Sequence, residues 1–433
     1  MRTDRKIAAF APALVCDSSF LGYTEGCPAE PKQNPMSSHR SGSPKYDLLI
    51  KGGRVIDPAQ GISDERDVAI SGTKVASVAN DIPGSEAKQL LDARGKIVTP
   101  GLIDLHVHVY DGVMPYGIPA DPSCIAKGAT TVVDAGSAGA HTFPGFRRHI
   151  VNVVSTRVYA LLNISVIGQT SSSFTNQWGE LLDLRYANPK LAILTIEKNR
   201  DIIKGIKVRL GRNLSGENDI QALNLARKVA DAVQLPIMVH IGGTTSPLPE
   251  ILAMLEKKDI VTHCYRGGDG GILDHKGRIL AAVAQARQRG VHFDIGHGVG
   301  SFSFDVAKSA MKQDFYPDTI SSDLHHLNVG GPVFDLATTL SKFILLGMTL
   351  DQVIASASIN AASAFDFPPG LGTLREGSEA DTAIFDLREG KFDFVDSEQR
   401  KRIGRVKLCP SATVKSGQIY GEGTAVVPST VFE

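Results

Sequence analysis

The sequence predicts an α/β protein in which a (β/α)8 barrel of TIM type is inserted in a small β-sandwich domain built from both chain ends. Three patterns carry this prediction: short strands at either end, eight apolar runs that alternate with helical patterns, and polar residues at the ends of those runs. We expect a disordered N-terminal extension over 1–44, a composite β domain of 45–97 and 368–433, and the barrel over 98–367.

The first 44 residues differ in composition from the rest of the chain. They are rich in Ser, Pro and Gly and lack sustained hydrophobic periodicity, which predicts an unstructured extension. A short apolar stretch over 7–15 follows basic residues, as in a secretory signal, but Pro12 interrupts it and no clean small-residue cleavage site follows. The sequence leaves open whether Met1 or Met36 is the natural start.

The composition is that of a soluble globular protein. The 433 residues are 42% apolar and 21% charged, and 46 basic side chains balance 46 acidic ones, so neither disorder nor a nucleic-acid partner is indicated. No run approaches the ~20 apolar residues that cross a bilayer, and the five cysteines are scattered. We therefore expect a cytoplasmic homo-oligomer that contacts no membrane and acts on a small-molecule substrate.

Short strand patterns separated by Gly, Pro and Asp turns occur at both ends of the chain and predict the β domain. Near the beginning they cover residues 47–51, 53–57, 67–71, 74–79 and 89–93. Near the end they cover residues 383–387, 391–395, 405–408 and 412–417. Because the same pattern resumes after a long interval, we expect the two sets to share one domain with the barrel between them.

The middle of the chain alternates strand and helix. Eight apolar runs are short enough for buried parallel strands: residues 102–108, 130–134, 158–164, 205–210, 237–240, 260–264, 291–295 and 319–323. Helical periodicity with one apolar face occurs in the intervals, over residues 218–233, 248–257, 277–289 and 333–346. Eight strands in β/α order predict a closed barrel, whose chemistry lies at the carboxyl ends of its strands.

Those strand ends carry metal-ligand side chains. His106 and His108 alternate on the first strand, so both imidazoles point to one face. Further strands end at Lys207, His240, His263 and Asp323. A buried polar group without a partner costs on the order of 1–3 kcal/mol, and a shared cation would supply partners to all of them. The sequence therefore predicts a metal site at the barrel mouth.

Lys207 is the unusual member of this set. Its side chain faces the barrel interior if strand alternation holds, where an ammonium beside a dication would be repelled. One interpretation pairs it with a barrel carboxylate. The other is that the neutral amine reacts with carbon dioxide to give a carbamate, an anionic oxygen ligand able to bridge two metals.

The run Pro100-Gly-Leu-Ile-Asp-Leu-His-Val-His, together with the later strand-end residues, resembles the amidohydrolase superfamily of metal-dependent hydrolases, in the dihydroorotase-like and deacetylase group. The resemblance extends from about residue 45 to 417. It implies two divalent metal ions, which we expect to be zinc, bridged by a hydroxide and by a carbamate on Lys207. One metal would take His106, His108 and Asp323, and the other His240 and His263. Asp323 would also move the proton during hydrolysis.

The substrate is harder to predict than the reaction. Dihydroorotases usually have an arginine two residues after the His-x-His pair, which grips the substrate carboxylate, and here that residue is Tyr110. We therefore expect deacylation of an amide or ester of a small carboxylic acid, with a cyclic amide hydrolase of dihydroorotase or hydantoinase type as the alternative. Candidate substrate-binding residues at the barrel mouth are Tyr265, Arg266, His297 and His325.

Two further alternatives remain open at this point. A non-catalytic scaffold would retain the barrel for assembly, but such proteins tend to lose ligands, and this chain keeps all six. A mononuclear deaminase would use Asp323 and three histidines without the lysine. Deaminases of that kind typically need a glutamate after the fifth strand, and here His240 is followed by Ile-Gly-Gly-Thr-Thr.

Overall fold

A computed structural model describes residues 44–172 and 179–421 of the chain. Apart from Pro44, the predicted extension over 1–44 lies outside the described residues, with both candidate start methionines, and so do residues 422–433 of the predicted β domain. None of the described helices is long and apolar enough to cross a membrane.

The strands of the described residues form two separate sheets. In chain order they are β1 (Tyr46–Asp57), β2 (Ile62–Ser71), β3 (Lys74–Ala79), β4 (Ala87–Asp92), β5 (Ile97–Pro100), β6 (Leu102–Val107), β7 (Ala129–Gly139), β8 (Arg157–Asn163), β9 (Ile203–Arg209), β10 (Ile237–His240), β11 (Ile260–Thr262), β12 (His292–Phe293), β13 (Thr382–Val395), β14 (Lys401–Lys415) and β15 (Gln418–Tyr420).

The first sheet is parallel, in the order β12-β11-β10-β9-β8-β7-β6. Its strands are nearly continuous runs of β-branched and other apolar residues, as expected for strands covered on both faces. Ile206, Val239 and Val261 are almost completely buried. Each such side chain contributes on the order of 1.5–3 kcal/mol when it leaves water. The sheet is thus the rigid frame on which the strand-end residues are mounted.

The predicted eighth strand, residues 319–323, lies between the two edges of this sheet. Isolated parallel bridges join Thr319 to Asp294 beside β12, and Leu324 to Val107 at the end of β6. The Asp323 amide donates to the His106 carbonyl at 2.7 Å. The segment is not a regular strand, because carboxylate and hydroxyl side chains capture part of its backbone and because Asp323 has a left-handed φ of 49°.

The second sheet is mainly antiparallel and has the order β15-β14-β13-β5-β1-β2-β3, with β4 parallel to β1. Strands from both chain ends meet where β5 pairs with β13. Residues 47–51 and 53–57, predicted as two strands, form the single strand β1 with a register shift between Ile50 and Gly53. Gly53 fits there because a methyl group on it would stand 2.4 Å from Val98.

The helices follow the predicted apolar faces with shorter bounds. They are α1 (Ala120–Ser123), α2 (Phe143–Phe146), α3 (Pro189–Lys198), α4 (Asp219–Val233), α5 (Leu248–Ala253), α6 (Ala281–Gln288), α7 (Phe304–Met311), α8 (Leu336–Leu345), α9 (Leu350–Ser356) and α10 (Ile359–Ala364). The helix predicted over 277–289 begins late because the Asp274 carboxylate accepts the amides of Lys276 and Arg278 and holds a turn. Asp335 caps α8 by accepting the Thr338 amide at 2.6 Å.

Candidate active site and metal centre

A cavity of about 390 Å³ opens at the carboxyl ends of the parallel strands. Its lining includes eight of the residues predicted from the sequence: His106, His108, Lys207, His240, His263, Arg266, Asp323 and His325. Strand geometry brings them together, since the ends of β6, β9, β10 and β11 meet at one edge of the sheet.

His106 and His108 converge on one carboxylate oxygen. The Nε2 atom of His106 lies 3.3 Å from Oδ1 of Asp323, and the Nε2 atom of His108 lies 3.1 Å from the same oxygen. Both rings are buried. The alternation of β6 thus places two imidazoles and a carboxylate from the predicted eighth strand around one point.

Hydrogen bonds at the far side of the rings fix the tautomers of His106 and His263. The Thr262 hydroxyl donates to Asp294 at 2.8 Å, so its oxygen accepts from Nδ1 of His106 at 3.0 Å. Nδ1 of His263 donates to the Gly296 carbonyl at 2.7 Å. The Nε2 lone pairs of His106 and His263 are therefore available in the cavity. Nδ1 of His108 is paired with the Ser137 hydroxyl at 2.9 Å.

Backbone strain helps to aim two of these side chains. His263 and Asp323 have φ angles of 69° and 49°, in the left-handed region that non-glycine residues seldom adopt. Such conformations cost on the order of 1–3 kcal/mol and concentrate at functional sites. His263 reaches His240, whose ring centroid is 4.4 Å away in an edge-to-face contact. One ring nitrogen each of His106 and His263 and one oxygen of Asp323 lie within 4.8 Å of one another.

Burial keeps the histidines neutral. It lowers the pKa of His108 and of His263 to about 3, and it lowers the pKa values of His106 and His240 as well. Desolvation disfavours the imidazolium form, and the neighbouring cationic groups add to the effect. Neutral imidazole is the form that binds a metal ion, so the electrostatics of the pocket suit metal ligation.

Lys207 is completely buried beside these rings. Its Nζ lies 3.5 Å from Nε2 of His106 and 3.4 Å from the Met238 sulfur. No carboxylate among the described residues makes an ion pair with it, so the interpretation of a lysine paired with a barrel carboxylate has no support there. Burial lowers the pKa of Lys207 to about 7, which makes its neutral amine accessible near physiological pH.

Supporting residues that were missed in the sequence surround the ligands. Asp294 accepts hydroxyl hydrogen bonds from Thr262, Thr319 and Ser321 at 2.7–2.8 Å. Asp104 accepts the Ser322 amide at 3.0 Å. These buried carboxylates tie the segment over 319–324 to the sheet and orient His106 through Thr262. Their position inside apolar runs was a usable signal, since such a carboxylate needs several donors.

Arg266 lines the cavity and is half-buried. Its Nη1 donates to the Asp269 carbonyl at 2.7 Å, and its guanidinium packs over the backbone of Gly242. Burial lowers its pKa, and none of the ion pairs among the described residues includes it. Such a guanidinium is suited to an anionic group that enters the cavity.

His325 lines the cavity with its tautomer fixed. Nδ1 accepts the Leu327 amide at 3.2 Å, so Nε2 carries the ring proton. Burial lowers the pKa of His325 to about 4, which leaves it a neutral hydrogen-bond donor at physiological pH. Its ring centroid lies 6.3 Å from that of His108.

A second arginine in the cavity was also missed. Arg209 lies two residues after Lys207 on β9 and therefore points to the same face. It forms a 2.5 Å ion pair with buried Glu180 and also donates to Gln169 at 3.0 Å. Strand alternation alone was enough to find it. Because Glu180 neutralises Arg209, this ion pair is less suited than Arg266 to binding an anion.

Two predicted substrate-binding residues do not reach the cavity. The ring of Tyr265 is fully buried, and its hydroxyl donates to the Phe315 carbonyl. His297 is also fully buried and contacts Lys342 and Phe302. The prediction followed sequence proximity to a strand end. For Tyr265 the strand geometry has already ended, since β11 stops at Thr262 and His263 has a left-handed φ, whereas His297 lies between Gly296 and Gly298, whose backbone faces the site.

The donor set fits divalent metal ions. Four neutral imidazoles, a carboxylate and a buried amine face the same space, and the histidines whose far-side bonds are described use Nδ1 for them. Hydrogen-bonded imidazoles of this kind are the usual ligands of zinc, whose coordination depends on such orienting partners.

Comparisons with known proteins agree with this geometry. The model of the amidohydrolase family matches residues 97–419. A deacetylase of Enterococcus faecalis is 36% identical over 378 residues, which cover 87% of this chain and 99% of that protein. A crystal structure of an adenine deaminase is similar at a TM-score of 0.80 and 37% identity, covering 87% of this chain and 100% of that one. A crystal structure of a dihydroorotase has a TM-score of 0.79 at 31% identity, covering 87% and 99%.

Proposed function

The chain belongs to the amidohydrolase family and is a hydrolase acting on C–N bonds, and from this premise we propose a binuclear metal-dependent enzyme that deacylates a small carboxylate-bearing amide or ester. The observation that carries the proposal is the convergence of buried, neutral imidazoles on Asp323 beside Lys207, which is buried and makes no ion pair among the described residues. The scaffold alternative has no support, because the relatives that match nearly their whole length are named as enzymes.

The proposal includes a closed barrel and a composite β domain. Backbone hydrogen bonds on both sides of residues 319–324 support an eight-stranded barrel closed by that segment. The pairing of β5 with β13 supports a composite β-sandwich domain of 45–97 and 368–433 around a barrel of 98–367. In a closed barrel, all predicted ligands would stand on one rim. We expect a cytoplasmic homo-oligomer with no nucleic-acid or membrane partner.

The proposed ligands divide into two sets. His106, His108 and Asp323 would hold one ion, and His240 and His263 the other, with a carbamate on Lys207 between them. The carbamate forms when the neutral amine attacks carbon dioxide and loses a proton, and the depressed pKa of Lys207 supports this step. When bound, two zinc ions would supply an activated water and polarise the scissile carbonyl.

Asp323 would move the proton of the reaction. Its carboxylate accepts the proton of the attacking water and then donates it to the leaving nitrogen or oxygen. We expect Asp323→Asn to lower kcat by about 10²–10⁴-fold, the usual contribution of a positioned acid–base group. Elemental analysis must accompany the kinetics. An Asp323→Asn enzyme with parental kcat would contradict the role.

Arg266 would bind the substrate carboxylate in the cavity. Tyr110, which occupies the position of the dihydroorotase arginine, points elsewhere: its hydroxyl donates to the Thr142 carbonyl at 2.9 Å. Arg266→Gln should raise KM about 10–100-fold for an N-acyl amino acid and leave a neutral N-acyl amine unaffected. The control is Arg278→Gln, an exposed arginine paired with Asp274.

The alternatives concern the substrate. The similarity to the structures of a dihydroorotase and of an adenine deaminase extends over nearly the whole length of those proteins, so a cyclic amide or an amino-purine is a rival substrate. Zinc-loaded protein should be assayed with N-acyl amino acids, acylated hydroxy acids, dihydroorotate, hydantoins and adenine. Fastest turnover of dihydroorotate or adenine would overturn the deacylase assignment.

Metal content tests the core of the proposal. Elemental analysis of the active protein should give two zinc ions per chain, and Lys207→Ala should lose metal and activity together. An active protein without metal would refute the proposal. Two metals retained in Lys207→Ala would remove only the bridging role of the lysine.

A further inference from the structure

The segment of residues 296–298 touches the candidate ligands with alternate residues. The Gly296 carbonyl accepts from His263, and a methyl group on Gly296 would stand 2.3 Å from Oγ1 of Thr262. A methyl group on Gly298 would stand 2.4 Å from Oδ2 of Asp323. Both glycines therefore lie directly against the site, and their backbone limits where the Asp323 carboxylate can go.

Between these glycines, the His297 side chain points the opposite way. Its ring stacks on Phe302 with centroids 4.5 Å apart. Nδ1 donates to the Gly298 carbonyl at 2.9 Å, which leaves Nε2 as the acceptor for Nζ of Lys342 at 2.7 Å. This buried ring has no part in the proposed metal binding or proton transfer.

Lys342 on α8 is completely buried, although lysines are rarely so unless they are fully paired. Besides His297, its Nζ donates to the Pro332 carbonyl at 2.9 Å and to the Val395 carbonyl at 2.8 Å. Its Nζ thus lies within hydrogen-bonding distance of acceptors from three segments that are distant in sequence. One amine links the 296–298 segment to α8 and to the second sheet.

The turn between β13 and β14 adds a second attachment. The Ser397 hydroxyl lies 3.2 Å from the Gly298 carbonyl, to which it donates, and accepts the Ser301 and Phe302 amides at 3.2 Å. Oδ2 of Asp396 accepts the Phe304 amide at 3.0 Å. The loop that follows β12 is therefore held from behind by residues of the antiparallel sheet.

We propose that His297 and Lys342 are positioning residues, which press the 296–298 segment against His263 and Asp323 and so fix the direction of the Asp323 carboxylate. The proposal rests on the proposed function, since it gives Asp323 a task that depends on its direction. Misplacement of a reacting group by about 1 Å can lower a rate about 10²-fold, so a remote anchor of this kind has a measurable effect.

The visible absorption spectrum of bound Co²⁺ reports ligand geometry without any substrate. Metal-free protein loaded with Co²⁺ should show a ligand-field spectrum that changes in His297→Phe, which keeps the ring stack but removes the acceptor for Lys342. His297→Gln keeps an acceptor near Nε2 and should retain the parental spectrum. The stoichiometry of Co²⁺ should stay the same in both. Lys342→Met should change the spectrum as His297→Phe does.

Ser397→Ala is the milder variant if Lys342→Met fails to fold, and it should shift the spectrum in the same direction. The matched control is Ser411→Ala. Ser411 lies ten residues after the start of β14, roughly 30 Å along the strand from the turn that contains Ser397. Folded His297→Phe and Ser397→Ala proteins with parental spectra would overturn the positioning role alone. A parental protein that takes up no Co²⁺ would contradict the proposed function, and the positioning role with it.

Discussion

The loops that follow β11 and β12 border the same cavity, yet they are held in different ways. The loop after β12 is anchored by Lys342 and by Ser397, both from other parts of the fold. In the loop after β11, Arg266 bonds to the Asp269 carbonyl of its own loop, and Gly268 is exposed with a φ of 77°. The loop after β12 depends on long-range contacts, whereas Arg266 and Asp269 of the loop after β11 bond within their own loop, beyond the buried Tyr265 that donates to the Phe315 carbonyl.

This difference separates two requirements of catalysis. Groups that move protons or hold metal ions must stay within a fraction of an ångström, and long-range anchors supply that accuracy. A group that recognises the outer part of a substrate gains from adjustment, which glycines in a surface loop allow. The chain thus places its rigid contacts behind Asp323 and its adjustable ones beside Arg266.

Among tests of this difference, the largest effect is expected from a methyl group added to the loop after β12, with the same change in the loop after β11 for comparison. Gly298→Ala would place Cβ 2.4 Å from Oδ2 of Asp323, whereas Gly268→Ala would meet open space. Both positions have left-handed backbones, so both variants carry a similar strain of roughly 1–2 kcal/mol. We expect Gly298→Ala to lower kcat by about 10²-fold and Gly268→Ala to leave kcat close to the parental value. Steady-state kinetics and thermal unfolding of the two variants check this.

Equal losses of activity in the two alanine variants would contradict this difference between the loops. Equal losses would mean that backbone strain, which they share, limits the enzyme. A loss of kcat in Gly268→Ala alone would reverse the assignment and make the loop after β11 the rigid one.

A smaller effect is expected from the carboxylate behind the ligands. Asp294→Asn disturbs the bond that fixes Thr262, and with it the tautomer of His106. Loss of such a supporting group typically weakens metal affinity 10–100-fold, which competition with a chelating dye measures. The control is Asp274→Asn beyond the loop after β11, where the carboxylate holds a turn far from the histidine ligands in sequence. Equal zinc affinities in all three proteins would contradict the supporting role.

The smallest effect concerns the pH dependence of stability. Burial lowers the pKa of Lys342 to about 7, while Asp396 and Asp335 oppose the shift. In the unfolded chain a lysine titrates near 10.4, so between about pH 7 and 10.4 the unfolded state holds a proton that the folded state lacks. The free energy of unfolding should therefore rise with pH in this window, by up to about 1.4 kcal/mol per unit from this group, and fall as the pH returns to 7.

Urea unfolding at pH 7, 8 and 9 checks this dependence. Lys342→Met should lose the slope, and the exposed Lys308→Met on α7 should keep it. If Lys342→Met retained the parental slope, the buried amine would not be its source.

Much of the fold and of the site could be predicted from the sequence. The apolar runs predicted seven parallel strands of the described sheet, and residues at or just after strand ends gave eight of those that line the cavity. His106 and His108 were predictable because a strand alternates with period two. The same rule, applied after Lys207, would also have found Arg209.

What the sequence could not supply is contact between distant segments. Tyr265 and His297 were predicted to bind substrate because they follow strand ends, but their burial depends on Phe315 and Lys342, far away in the chain. The register shift that joins residues 47–51 and 53–57 into β1 depends on packing against Val98. Local propensity does not contain such information, since it arises from tertiary packing.

The pairing of β5 with β13 has a consequence for biosynthesis. Pro100 lies opposite Thr382, so β5, which pairs with β1 on its other side, lacks this second partner until the distal part of the chain has left the ribosome. Val395 and Ser397, whose contacts fix the loop after β12, are also synthesised late. Contacts of such high sequence separation form slowly. A nascent chain ending before Thr382 would carry every proposed metal ligand, yet it would lack the strand that pairs with β5 and the residues that hold the loop after β12.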